Sequence, residues 1–111
     1  MTELLLLFCA YLIGSIPTAV WVSKGVFGMD IREYGSGNAG ATNTFRVLGP
    51  KAGSFVMLVD MIKGVMAVRL ALLVGYYQNP EHLTQLVNLQ IGLGLAAVVG
   101  HIFPIWAGFR G

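Results

Sequence analysis

The sequence predicts an all-α, polytopic membrane protein with three transmembrane helices and its N-terminus outside. Three observations predict it. Of the 111 residues, 56% are apolar and only 11% are charged, against about 25% charged in soluble domains. Charge is absent from residues 4–23 and again from 82–109, and each run is long enough for a hydrocarbon core that takes about 20 apolar residues per span. A third apolar run, 52–77, is interrupted only by Asp60, Lys63 and Arg69. The whole chain reads as a single membrane domain, with helices at about 4–25, 52–77 and 83–106.

The same composition excludes several classes. So many apolar residues exclude disorder, and a chain this short could not hide them all inside a soluble domain. The net charge of +2, with no basic run, gives no nucleic-acid partner. Cys9 is the lone cysteine, so no internal disulfide forms, and no Cys/His spacing suits zinc. No metal and no cofactor are expected.

The first helix begins without the basic residues of a signal peptide, and Ala10 has no small partner at Phe8 for a cleavage site. It reads as a retained span. Pro17, in Gly14-Ser15-Ile16-Pro17, kinks it, which membrane helices tolerate where neighbours satisfy the freed backbone.

The first connection, about 28–50, is the most polar part of the chain. It contains a literal G-x-G-x-x-G at Gly35, Gly37 and Gly40. A dinucleotide site would need a preceding strand and a βαβ unit, and here a membrane helix precedes it. The residue types still suit an anion. Glycines let successive N–H groups form a nest. Ser36, Asn38, Thr42 and Asn43 add neutral donors, and Arg46 can grip phosphate with two prongs. The competing reading is a solvated turn whose polar residues cap helices.

The second helix carries Asp60 and Lys63 three apart, on one face. Either they neutralise each other, or Lys63 directs a charge towards the anion site from below; ionisable groups inside a span face a cavity or a partner. Arg69 can snorkel to an interface. Ala67, Ala71 and Gly75 in this helix, and Gly92, Ala96 and Gly100 in the third, lie four apart, a spacing that allows close helix approach.

Near the end of the third helix, His101 is either a packing residue or part of a site. Gly108, Arg110 and Gly111 begin a second glycine/basic segment. Lys24, Arg32, Arg46, Lys51 and Arg110 flank the first connection and the C-terminal end, which places both in the cytoplasm by the positive-inside rule. Tyr76 and Tyr77 then mark the outer interface, and Trp21 and Trp106 the inner one. Two such segments on one side converge on one phosphate-bearing ligand.

The ordered set Gly14-Ser15-Ile16-Pro17, Asp30-Ile31-Arg32, Gly35 to Asn43 with Arg46, Asp60-x-x-Lys63-Gly64, Gly100-His101-x-Phe103-Pro104 and Gly108-Phe109-Arg110-Gly111 resembles the bacterial acyl-phosphate:glycerol-3-phosphate acyltransferases, the PlsY family. The resemblance runs over almost the whole chain. It implies a multi-pass enzyme of the bacterial inner membrane whose site faces the cytoplasm. Such an enzyme moves an acyl chain from acyl phosphate to the sn-1 hydroxyl of glycerol 3-phosphate, giving lysophosphatidic acid for phospholipid synthesis. It also implies that Ser36 and Arg46 are catalytic and that the segment from Gly108 is the glycerol-3-phosphate loop. Gly35, Gly37, Asn38, Gly40, Thr42, Asn43, Lys63, His101, Gly108, Arg110 and Gly111 complete the candidate substrate-binding set, and the bilayer is a further partner.

A His-x4-Asp motif, used by another acyltransferase group, is absent: Trp106 follows His101 and Val87 follows His82 at that spacing. Members of the resembled family are about twice as long, with seven helices, so this chain corresponds to an N-terminal portion ending inside the binding loop and is expected to be inactive alone. The rival reading is a small non-enzymatic membrane protein, such as a channel or transporter subunit.

Overall fold

The computed structural model describes residues 1–110, which contain helices and turns and no strand. Five α-helices follow in order: α1 (Thr2–Gly14), α2 (Thr18–Phe27), α3 (Ala41–Leu48), α4 (Pro50–Arg69) and α5 (Leu83–Ile102). Two segments are long and apolar enough to cross a membrane, Thr2–Phe27 and Pro80–Ala107. The intervening α4 carries Lys51, Asp60, Lys63 and Arg69 along its length.

The element boundaries differ from the sequence expectation in ways with local causes. The helix expected over 4–25 is two helices, because Pro17 has no N–H to donate and restricts the residue before it. Residues 15–17 form the joint between α1 and α2. The second helix is α-helical only to Arg69; 3-10 turns at Leu70–Leu73 and Gly75–Gln78 finish it. Val74 between them is extended, and Gln78 Nε2 donates to the Leu72 carbonyl at 2.6 Å, which holds the chain in a tighter turn. The third helix stops at Ile102, two residues before Pro104, with Phe103 out of the helical region. The polar connection is itself partly helical, holding a 3-10 turn at Ile31–Glu33 and α3.

Two apolar clusters organise the packing. Leu6 and Ala10 of α1, Ala67 of α4, Ala71 of the 3-10 turn after it, and Leu93 and Ala97 of α5 form one. Ala19 and Val20 of α2, Ile31, and Val56 of α4 form the other. Helix α4 therefore runs past both halves of the broken first helix. The expected close approach is made between α5 and α1. A methyl group at Gly100 would overlap the Tyr11 carbonyl and the Ser15 amide, and one at Gly14 would overlap the Ala97 backbone.

Lys63 fills the break. Its ammonium donates to the Gly14 carbonyl at 3.2 Å and to the Ile16 carbonyl at 2.6 Å, and pairs with Asp60 at 3.0 Å. Lys63 is 5% exposed. The opposite end of the bundle is tied by Tyr77, whose hydroxyl donates to Glu3 at 2.9 Å.

Replacing Gly100 by valine forces apart two backbones in contact, at a cost of about 1–3 kcal/mol from overpacking. Gly100→Val is expected to unfold at lower temperature in detergent than Gly92→Val, whose nearest neighbour is the flexible end of Leu7. Thermal scans of helicity check the difference.

Candidate functional site

The loop between α2 and α3 is ordered from its own polar residues. Gly28 ends α2 in the left-handed region, with φ +65°. Ser23 Oγ then receives the Ile31 amide at 3.0 Å, and the buried Ile31 locks onto the second apolar cluster. Beyond it, Gly35 and Gly37 have φ +57° and +78°, a region open to glycine at no steric cost. A side chain at Gly35 would also overlap Asn43.

Asn43 is the hub of this turn. It is 1% exposed. Its Nδ2 donates to the carbonyls of Tyr34 at 2.9 Å, Asn38 at 3.0 Å and Ile31 at 3.3 Å, and its Oδ1 accepts from the Ser36 amide at 3.0 Å. The amide expected to face a ligand is thus spent on the loop backbone. Ser36 Oγ accepts from the Asn38 amide at 3.3 Å and is otherwise open to solvent. Gly40 precedes α3, and Thr42 is exposed in its first turn, where backbone N–H groups have no partner inside the helix. Thr44 Oγ1 donates back to Gly40 at 2.8 Å. Arg46 is exposed in the last turn of α3.

Arg32 joins this loop to the segment after α5. Its Nε and Nη2 grip Asp30, with Nη2 to Oδ2 at 2.8 Å, and its Nη1 donates to the carbonyls of Ala107 at 2.9 Å and Arg110 at 2.6 Å. The Arg32 side chain is 8% exposed. Lys24 adds a looser contact to Asp30 at 3.7 Å. The Arg32 guanidinium holds the Asp30 carboxyl down at about 2, and Asp30 in turn raises Arg32. Gly108, at φ +68°, and Arg110 lie on the turn that Arg32 holds; Gly111 lies outside the described residues. Two further bonds anchor this turn to the end of α1: Tyr11 Oη donates to Phe103 at 2.7 Å and Trp106 Nε1 to Leu12 at 3.2 Å.

The structure therefore gathers Gly35, Ser36, Gly37, Asn38, Gly40, Thr42 and Asn43 into one loop and brings Gly108 and Arg110 to its start. Lys63 and His101 meet elsewhere. They line a cavity of about 220 Å³ between α1, α4 and α5, with Gly14, Asp60 and Ala97. Among the described residues no hydrogen bond joins Lys63 to the Gly35–Arg46 segment. In the sequence Arg32 serves as an orientation charge and as part of the Asp30-Ile31-Arg32 motif, and not as a site residue. Its place two residues after Asp30, just ahead of the glycines, was the available signal.

The family model for glycerol-3-phosphate acyltransferase matches residues 4–111. The chain belongs to the glycerol-3-phosphate acyltransferase family. It is 47% identical, over its whole length, to 48% of a glycerol-3-phosphate acyltransferase from Streptococcus mutans serotype c. It is 50% identical, again over its whole length, to 47% of one from Enterococcus faecalis. It is similar in structure to PlsY (YgiH), an integral membrane glycerol 3-phosphate acyltransferase crystallised in its glycerol 3-phosphate form. There the TM-score is 0.75 at 38% identity, covering all of this chain and 51% of that one. The chain spans about half the length of the curated acyltransferases it matches.

Two outcomes are expected of the site. Asn43→Ala removes the partner of the Asn38 carbonyl and the Ser36 amide, while the Tyr34 and Ile31 carbonyls keep bonds from the Gly37 and Tyr34 amides, at about 0.5–1.5 kcal/mol for each hydrogen bond lost; amide hydrogen exchange over 34–40 should accelerate while α5 stays protected. Because the folded Asp30 carboxyl titrates below its ordinary value of 3.8, the Asp30–Arg32 contribution is fully present above that pH and is lost as pH falls towards about 2. Hydrogen exchange across 30–34 in an acid series should show no loosening between neutral pH and pH 5.

Proposed function

We propose that this chain supplies the phosphate-handling portion of a membrane acyltransferase. The reaction is transfer of an acyl chain from acyl phosphate to the sn-1 hydroxyl of glycerol 3-phosphate. The hydroxyl oxygen attacks the acyl carbonyl carbon, the bond from that carbon to the phosphate oxygen breaks, inorganic phosphate leaves, and the hydroxyl proton is lost to phosphate or water. The products are lysophosphatidic acid and phosphate, and no cofactor is required.

One observation carries this reading: Arg32 ties the turn around Gly108 and Arg110 to the start of the Gly35–Asn43 loop. Both substrates bear phosphate, and both segments offer what phosphate needs. In the loop these are exposed Ser36, the N–H groups that open α3, and Arg46; in the turn they are Gly108 and Arg110. Donors fixed before the reaction stabilise charge developing on the leaving phosphate, and holding two reactants together supplies much of the acceleration. Ser36 orients phosphate or the acyl oxygen rather than carrying the acyl group. Asn43 and Gly35 act by shaping the loop, and Lys63 with His101 by supporting the helices beneath it.

The chain crosses a bacterial plasma membrane three times, with its N-terminus outside and both glycine-bearing segments in the cytoplasm. Five basic residues at 24, 32, 46, 51 and 110 mark that end, and the Glu3–Tyr77 bond closes the other. The third crossing is α4, whose buried Lys63–Asp60 pair removes two of its charges from lipid. A second half of the length seen in its relatives completes the enzyme.

Radiolabelled acyl phosphate and glycerol 3-phosphate, offered to membranes holding the full-length protein that contains this chain, should yield lysophosphatidic acid. Arg46→Ala should lower the rate at least about a hundredfold, the scale of losing one charge-stabilising donor. Undiminished product from Arg46→Ala would refute the assignment, and an acyl group trapped on Ser36 would refute direct attack. A cysteine at Asn38, in a Cys9→Ser background, should resist membrane-impermeant maleimide in intact cells, while one at Gln78 reacts.

A further inference from the structure

The Arg32 guanidinium is more than a surface ion pair. It is nearly buried, it is gripped on one edge by both oxygens of Asp30, and with its free nitrogen it reaches two carbonyls on a segment more than seventy positions away. We propose that Arg32 is a positioning residue that sets the spacing between the glycine-rich loop and the Gly108 turn. In doing so it fixes affinity for the phosphate-bearing acceptor, glycerol 3-phosphate. This rests on the acyl-transfer reading above, but the geometry behind it does not.

First, Asp30 fixes the guanidinium plane. Its side chain accepts from the Arg32 amide at 3.0 Å as well as from the guanidinium, so the fork cannot swing while Asp30 stays in place. Second, Nη1 bridges Ala107 and Arg110, the two carbonyls that flank the left-handed Gly108 and Phe109, with φ +68° and +62°. A phenylalanine in that region is strained and persists only where its surroundings hold it. Arg32 is one such hold, and the Phe109 amide bond to Pro104 at 2.7 Å is another. Third, the planar fork matters. A lysine keeps the charge but is a point donor on a flexible stem, and it cannot serve Asp30 and both carbonyls in this geometry. Four of its five N–H donors are taken by Asp30 and the two carbonyls, so its effect passes through the turn it holds.

The test uses the full-length protein in membranes, with Arg32→Lys and Asp30→Asn as independent variants. Arg32→Lys should raise KM for glycerol 3-phosphate about tenfold, the equivalent of one charge-assisted hydrogen bond. kcat and KM for acyl phosphate should stay within about twofold. Asp30→Asn, which keeps the guanidinium but loosens its grip, should move the same constant in the same direction by less. A fall in kcat at unchanged KM, or a rise in both KM values together, would overturn the proposal. A second readout does not need activity. Spin labels at Glu33→Cys and Ile105→Cys, in a Cys9→Ser background, should give a narrow distance distribution that broadens in Arg32→Lys. Broadening without acyl transfer in the unsubstituted protein would sink the functional reading and leave the positioning role standing. An unchanged distribution would sink the positioning role even if transfer is robust.

Discussion

A single ammonium group holds the two halves of the first helix in place. Pro17 interrupts the backbone ladder, and the carbonyls of Gly14 and Ile16 then face an interior with little water to solvate them. Lys63 meets both and is itself balanced by Asp60. Breaking a buried pair from one side costs several kcal/mol, because the partner is left charged and alone. The joint is therefore a fixed angle rather than a hinge. Its consequence lies one helix further on. With α1 packed on α5 and α4, α2 leaves the joint so as to bury Ala19 and Val20 against Val56. Ser23 then sits where its hydroxyl can take the Ile31 amide. The glycine-rich loop starts from that point.

The far edge of the site depends on a different constraint, the absence of side chains. Gly14 and Gly100 let α1 and α5 touch backbone to backbone near the joint. That contact brings the end of α5 under Tyr11 and Leu12, whose bonds to Phe103 and Trp106 aim the chain towards Arg32. Polar chemistry at the loop end is thus positioned by apolar packing within the helices. In lipid, where helix association has no hydrophobic drive of its own, such close packing and buried polar bonds are the means available.

Much of this was legible in the sequence. The Gly35–Arg46 segment, the i,i+3 placement of Asp60 and Lys63, and the small residues along the third helix each follow from a short-range pattern. The identity of their partners does not. Spacing puts Lys63 on a face, but only the packed helices show that the face meets the carbonyls freed by Pro17. Asn43 reads as a donor for a ligand because its residue type suits that role. Its actual partners depend on a loop that turns back through two left-handed glycines. Arg32 was legible as a positive charge near a membrane edge, and its bonds to Ala107 and Arg110 span separations that no local pattern encodes. The 3-10 unwinding after Arg69 was missed for a related reason: Leu70–Leu73 is apolar and suits a helix, and the tightening comes from Gln78 reaching back to Leu72.

The charge arrangement gives the loop end its chemical character. Lys24, Arg32, Arg46, Lys51 and Arg110 face only Asp30 and Glu33 as acids there. Asp30 is taken up by Arg32 and Lys24, and Asp60 is committed to Lys63 within the helices. Glu3 lies at the opposite end with Tyr77. Arg46, Lys51 and Arg110 make no ion pair among the described residues, so the end keeps a surplus of positive potential. Clustered charge of one sign attracts an approaching anion. On the acyl-transfer reading proposed above, the uncharged N–H groups of the two glycine-bearing segments would bind phosphate oxygens without requiring a counter-charge of their own. A surface with both features discriminates by charge first and by backbone shape second. That order would suit the two phosphate-bearing substrates of the transfer proposed above.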